Sequence, residues 1–250
     1  MTMISPDTGV WLRRYAPSDV TDKVLVCFPH AGGSATYYLP VARALASVTD
    51  VVALQYPGRQ DRRADPCIDD LGALADAIVP QLLPLADKKI RFFGHSMGAT
   101  LAFEVARRLE ANGTEIACLV ASGRRAPSRH RDETVHLSGD DGLLAELTKL
   151  SGTDAKLLAD EEVRQMILPS LRSDYKAAET YRYRPGPPLR CPIIALAGDA
   201  DPKATLDEVA AWEEHTTGPF RFRQWPGGHF FLTDHQAEVL DVLREEIGRE

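Results

Sequence analysis

The chain has 250 residues, 44% of them hydrophobic and 26% charged, the balance of an ordinary globular protein and not of a disordered one. Its 29 Lys plus Arg against 36 Asp plus Glu leave a net charge of −7, which excludes a broad cationic face for nucleic acid. There is no apolar run long enough to span a membrane and no charged N-terminal segment leading into an apolar core, so no membrane association is expected and the chain is assigned to the cytoplasm.

Length allows one α/β domain over residues 1–250. Short apolar runs rich in Val and Ile recur along it: Val24 to Phe28, Val51 to Leu54, Ile90 to Phe93, Ile116 to Val120 and Ile193 to Leu196, and a later run, Phe220 to Trp225, adds a final strand. Unalternated runs suit strands covered on both faces. Between them, Tyr37 to Ser47, Leu71 to Leu85 and Ala99 to Asn112 carry Ala and Leu at helical spacing, Gly113 ends the last of these, and Gln236 to Ile247 gives a final helix. Strand and helix in alternation predict a mostly parallel central sheet flanked by helices, joined by right-handed crossovers. The alternation breaks over residues 128–185, where Gly142 to Leu150 and Glu161 to Tyr183 read as helices, Pro169 starts or kinks the second, and Val163, Met166, Ile167, Leu171 and Tyr175 form an apolar stripe. This insertion is either a helical subdomain packed on the sheet or a lid over a site. The four cysteines, Cys27, Cys67, Cys118 and Cys191, are too scattered for a zinc site or redox pair and read as reduced, mostly buried thiols.

Gly94-His95-Ser96-Met97-Gly98 matches the G-x-S-x-G nucleophile elbow, and it stands between the strand at Ile90 to Phe93 and the helix from Ala99, the setting that motif requires. Ser96 must sit on a tight turn that exposes its hydroxyl, and the two glycines make room for that turn. A serine hydroxyl needs a base, and the base needs an orienting acid. After the strand ending at Leu196 comes Gly198-Asp199-Ala200-Asp201-Pro202; Asp201, stiffened by Pro202, is assigned as the acid, and Asp199 as a carboxylate that bonds the turn. After Trp225 comes Pro226-Gly227-Gly228-His229, which puts a histidine base on a loop at a strand end. His95 should point away from the hydroxyl; His130, His136 and His215 fit solvated positions; His235 opens the last helix, capped by Thr233 or Asp234. Two amides must face the developing oxyanion: that of Met97, after the nucleophile, and that of Ala31 in the Gly-rich turn Phe28 to Ser34. No metal or organic cofactor is required by this set.

Taken together, FPHAGGSA (28–35), QYPGR (55–59), FFGHSMGA (92–99), ASGRRAP (121–127), LRSDYKAAETYRY (171–183), AGDADP (197–202) and GGHFFL (227–232) make the chain resemble, nearly end to end, the stand-alone (type II) thioesterases of polyketide and nonribosomal peptide pathways, within the α/β-hydrolases. The resemblance implies an α/β-hydrolase fold with a helical lid over 128–185, Ser96, His229 and Asp201 as catalytic triad, and Ala31 and Met97 as oxyanion hole. It further implies a substrate class, acyl thioesters on the phosphopantetheine arm of acyl or peptidyl carrier proteins, hydrolysed when they stall an assembly line. A chain of this length with its own Met1 and no adjoining carrier domain fits a separate, monomeric editing enzyme. Under such a lid, Met166, Leu171 and Tyr175 are the expected substrate-lining residues. The basic run Arg124-Arg125 and Arg129-His130-Arg131 is either a contact for an acidic carrier domain or a phosphopantetheine phosphate, or a solvated loop. Two rivals remain open: a general carboxylesterase or lipase on the same fold, since the triad does not distinguish oxygen from sulfur leaving groups, and a non-catalytic carrier-binding protein.

Overall fold

Each of the five apolar runs, and the later run Phe220 to Trp225, forms a strand, and helices pack on both faces of the resulting sheet. The computed structural model describes residues 10–18, 21–150 and 160–249. Strands β1 (Leu12–Arg14), β2 (Lys23–Phe28), β3 (Asp50–Leu54), β4 (Lys89–His95), β5 (Ile116–Ser122), β6 (Ile193–Gly198) and β7 (Phe220–Trp225) form one sheet in the order β1-β3-β2-β4-β5-β6-β7. All neighbours are parallel except β1, which pairs antiparallel with β3 through Leu12 and Leu54. Strand β1 has no counterpart in the sequence reading, because three residues reading Leu-Arg-Arg carry no apolar run.

Alternate residues of one strand serve opposite layers. Val24, Val26 and Phe28 pack with α2 (Leu71–Leu82) and α3 (Met97–Ala111), whereas Leu25 and Cys27 pack with α1 (Leu39–Leu45) and the C-terminal helix. Asp70 caps α2 by accepting from the Ala73 amide at 2.8 Å, satisfying one of the amides that a helix start leaves open. Gly113, at φ +84°, follows α3.

Among the described residues, the region 128–185 contains no strand. It holds α4 (Asp140–Lys149) and α5 (Glu161–Thr180); residues 151–159 of the expected insertion lie outside the described residues. Pro169 sits inside α5, not at its start. Leu143, Leu144, Leu147, Leu171 and Tyr175 form a separate small core that packs on Ala31, so the segment lies over the loop after β2. A short helix α6 (Leu206–Ala210) opens with a capping box between Thr205 and Glu208. Phe231–Asp234 forms α7 and Gln236–Gly248 forms α8. His235 joins the two with no side-chain cap from Thr233 or Asp234; its Nε2 lies 3.0 Å from the Pro226 carbonyl instead.

Candidate active site

Strand β4 ends at His95 and α3 starts at Met97, so Ser96 alone makes the turn, at φ 55° and ψ −122°. That backbone is strained for any residue but glycine. The flanking glycines permit it: a Cβ on Gly94 would come within 2.3 Å of the Gly98 carbonyl oxygen, and one on Gly98 within 2.1 Å of the Phe28 oxygen. A serine ahead of a helix usually bonds a first-turn amide. Ser96 does not, and its Oγ lies 2.9 Å from His229 Nε2.

His229 is buried, with Nδ1 at 3.0 and 2.9 Å from the two oxygens of Asp201, also buried. A carboxylate only accepts, so Nδ1 carries the proton and Nε2 of the neutral ring accepts from the serine hydroxyl. Asp201 Oδ1 takes a further bond from the Lys203 amide at 2.8 Å. Asp199 instead accepts from the Gly227 amide at 3.0 Å, and with Ala200 N to Gly227 O at 2.9 Å it ties the Asp201 loop to the His229 loop. Gly198 permits that closeness, since a Cβ there would meet the Gly227 and Gly228 carbonyls at 2.5 and 2.4 Å.

His95 points away from the hydroxyl, as expected. Its Nδ1 lies 3.0 Å from Ser122 Oγ, and its ring centre is 5.1 Å from that of His229 and 6.1 Å from that of His30. Burial, reinforced by the neighbouring imidazoles, pushes His95 well below the ordinary histidine range and His30 down to about 3, so both stay neutral. The Met97 amide, as the first of α3, has no intrahelical acceptor, and Ala31 and Met97 line the same cavity as Ser96 and His229.

The loop bearing Ala31 is held on every side. Tyr38 and Tyr56 donate to the Phe28 and Pro29 carbonyls at 2.8 and 3.2 Å, and Gln55 Oε1 accepts from the Ala35 amide at 2.9 Å. Buried Arg59 reaches the Gly33 carbonyl at 2.9 Å while pairing with buried Asp174 of α5 at 2.7 and 2.9 Å; Asp174 also accepts from the Gly32 amide at 2.8 Å. Sequence reasoning assigned no role to these residues, although Asp174 was visible as an acid beside the apolar Leu171 and Tyr175.

A thioesterase-domain family model matches residues 23–247. The chain belongs to the thioesterase family. It is 48% identical over 246 residues to the thioesterase PikA5 of Streptomyces venezuelae, covering 98% of this chain and 88% of that protein. It is 54% identical over 239 residues to a probable cadicidin biosynthesis thioesterase of Streptomyces griseus, covering 96% of this chain but only 65% of the relative's length. Among solved structures, the type II thioesterase BorB of the borrelidin biosynthetic cluster superimposes with a TM-score of 0.92 at 52% identity, over 97% of this chain and all of that one.

In this thioesterase the cavity at Ser96 is small, about 40 Å³, and α4 and α5 roof it with Leu147, Leu150, Tyr175, Ala178 and Glu179. Of the three expected lining residues, Tyr175 lines it. Leu171 is buried one layer away, against Gly32, and Met166 is 53% exposed. Along α5, full burial begins at Ser170, while Ile167 is partly buried against the small core and Met166 is exposed.

The basic run is paired with carboxylates, and it is solvent-exposed at His130 and partly so at Arg129 and Arg131. Arg125 pairs with Glu133, Arg129 with Glu214, His130 with Asp132 and Arg131 with Glu208, while Arg124 is buried at the cavity wall. Two of the histidines expected in solvent are also bonded internally: His215 is buried with Nε2 2.9 Å from Ser128 Oγ, and His136 Nδ1 lies 2.6 Å from Glu179. A larger groove, about 1110 Å³, runs between α2, α3 and residues 180–190 and shares none of these site residues. Among the described residues, no helix is long and apolar enough to cross a membrane and no group of three metal-ligand side chains occurs.

Proposed function

We propose that this thioesterase is a stand-alone editing enzyme that hydrolyses acyl thioesters from phosphopantetheinyl carrier proteins of polyketide or nonribosomal peptide assembly lines, and that it works as a cytoplasmic monomer. The observation that carries the reading is the unbroken hydrogen-bonded series from Ser96 Oγ through His229 to Asp201, opening into a cavity shared with Ala31 and Met97. Ser96 attacks the thioester carbonyl while His229 takes its proton; the oxyanion rests on the Met97 and Ala31 amides at the positive end of α3. The pantetheine thiolate leaves with the proton that His229 returns. Water, deprotonated by His229, then cleaves the acyl-Ser96 ester, and Asp201 stabilises the imidazolium in both halves. The residues 128–185 act as the lid.

The test compares one acyl group presented on a carrier protein, on coenzyme A and as a nitrophenyl ester. A carrier thioester turned over fastest supports editing, whereas a nitrophenyl ester preferred over both thioesters would favour a general esterase. Labelling by a fluorophosphonate that is lost in Ser96→Ala separates either enzyme from a non-catalytic carrier-binding protein.

A further inference from the structure

Lys203 lines the cavity at Ser96 and stands two residues past Asp201. Among the described residues, the Asp201 carboxylate meets one donor besides His229, the Lys203 amide at 2.8 Å. The rest of Lys203 is gripped as well. Its carbonyl accepts from Arg125 Nη1 at 3.0 Å, and its Nζ lies 3.0 Å from Glu133 Oε1 and 2.5 Å from Glu146 Oε1. Arg125 also pairs with Glu133, which closes a balanced set of two cations and two carboxylates, all largely buried. Burial works against the Lys203 charge, but the bonds to Glu146 and Glu133 outweigh it and hold its pKa above the ordinary lysine value. Burial likewise pushes Glu133 up, and Arg125 and Lys203 pull it down to about 2. Lys203 and Glu133 are therefore both ionised at neutral pH.

The partners come from different parts of the fold. Lys203 follows β6 on the loop of Asp201, whereas Glu146 belongs to α4, and the next residue of α4, Leu147, lines the cavity. Arg131, from the same segment 128–185, adds a bond to the Pro202 carbonyl at 3.0 Å. The segment that roofs the site thus holds the backbone from which the Asp201 carboxylate projects. A buried ion pair contributes little net stability against an apolar replacement, yet removing one partner is costly, so the set resists any displacement of α4 that separates Glu146 from Lys203. Resting on the catalytic reading above, we infer that Lys203 is a positioning residue: through Glu146 and Glu133 it couples the Asp201 loop to α4, so that the carboxylate is held against His229 Nδ1 when α4 is seated over the cavity. A roof that lifts frees Nζ from Glu146 and loosens the acid. A roof that closes realigns it.

The test measures kcat and KM for the acetyl thioester of N-acetylcysteamine with the whole chain, in the wild-type and Asp201→Asn backgrounds. Glu146→Gln leaves Lys203 paired with Glu133. In the wild-type background it should lower kcat about tenfold with KM changed less than about twofold, a part of the roughly 10²-fold that a misplacement of about 1 Å costs. Lys203→Met should lose at least as much, and Lys203→Arg, which keeps both pairings, should retain most of the activity. In Asp201→Asn the same substitutions should change kcat less than about twofold, because the imidazole is already wrongly oriented and residues that act as one unit lose activity non-additively. A role confined to stability would lower kcat equally in both backgrounds, and that result overturns the inference, as does an unchanged kcat in Glu146→Gln. Either outcome leaves the hydrolase reading standing. No hydrolysis by wild type would remove the proposed function and this inference together.

Discussion

Two aspartates share the turn after β6, and their hydrogen bonds separate them. Asp201 meets His229 Nδ1 through both oxygens, whereas the Asp199 carboxylate meets the Gly227 amide. Asp201→Asn should therefore lower kcat by about 10³–10⁴-fold through the wrong imidazole tautomer, while Asp199→Asn, which keeps an acceptor for Gly227, should cost less than about tenfold. Steady-state kinetics on both variants decides, and the reverse ranking would move the acid to Asp199. A second expectation comes from the neighbouring rings. Burial holds His30 and His95 neutral, with His30 near 3, so neither adds a proton to the profile of the enzyme. A histidine base must be unprotonated, so kcat/KM should rise with pH as a single-proton limb. A steeper limb would show that His95 or His30 titrates too; a flat profile would remove His229 as base.

Helix α5 is where sequence and structure part most. Its existence and near-complete extent followed from helical spacing, yet which residues face the cavity did not, because periodicity gives a face but not how far that face overlies the core. Met166 and Tyr175 share the stripe; the first is exposed and the second lines the site. Ala178→Leu should thus cut turnover of hexanoyl thioester several-fold more than acetyl, whereas Met166→Trp should leave the chain-length profile unchanged. A chain-length series on the two variants checks this, and a Met166→Trp effect confined to long chains would restore the stripe as lining. The hydrogen-bonded set Ser96, His229 and Asp201, by contrast, was legible, since each member follows a strand end in a short loop with its own glycine. The Arg59–Asp174 pair was not, because nothing local in a sequence joins residues 115 positions apart. That pair clamps α5 to the Ala31 loop. Asp174→Ala leaves a buried guanidinium unpaired and should cost about 3–5 kcal/mol, with most of it recovered in Arg59→Met/Asp174→Leu. Denaturant midpoints of the single and double variants measure this, and the double variant should nonetheless show a lowered kcat if the pair positions the oxyanion-hole loop.

At the scale of the molecule, sheet order distributes the site unevenly. Ser96 leaves β4, the middle strand of seven, but His229 follows β7, an edge strand whose residues are all at least partly exposed. Covered strands were readable as apolar runs, and the edge β1 was not, for the same reason that edges are weak: little is buried there. Edge elements open at lower free energy than the centre. On mild heating or in moderate denaturant, hydrolytic activity should accordingly disappear before far-UV circular dichroism changes, and amides of residues 220–225 should exchange with deuterium faster than those of 90–95. Coincident loss of activity and ellipticity would mean that the edge is held as firmly as the core. If the two separate, the protein fails as a catalyst while still intact as a fold, and its shelf life is set by one outer strand; bracing that strand, with no change to any reacting group, would then prolong working life more than any improvement of the interior.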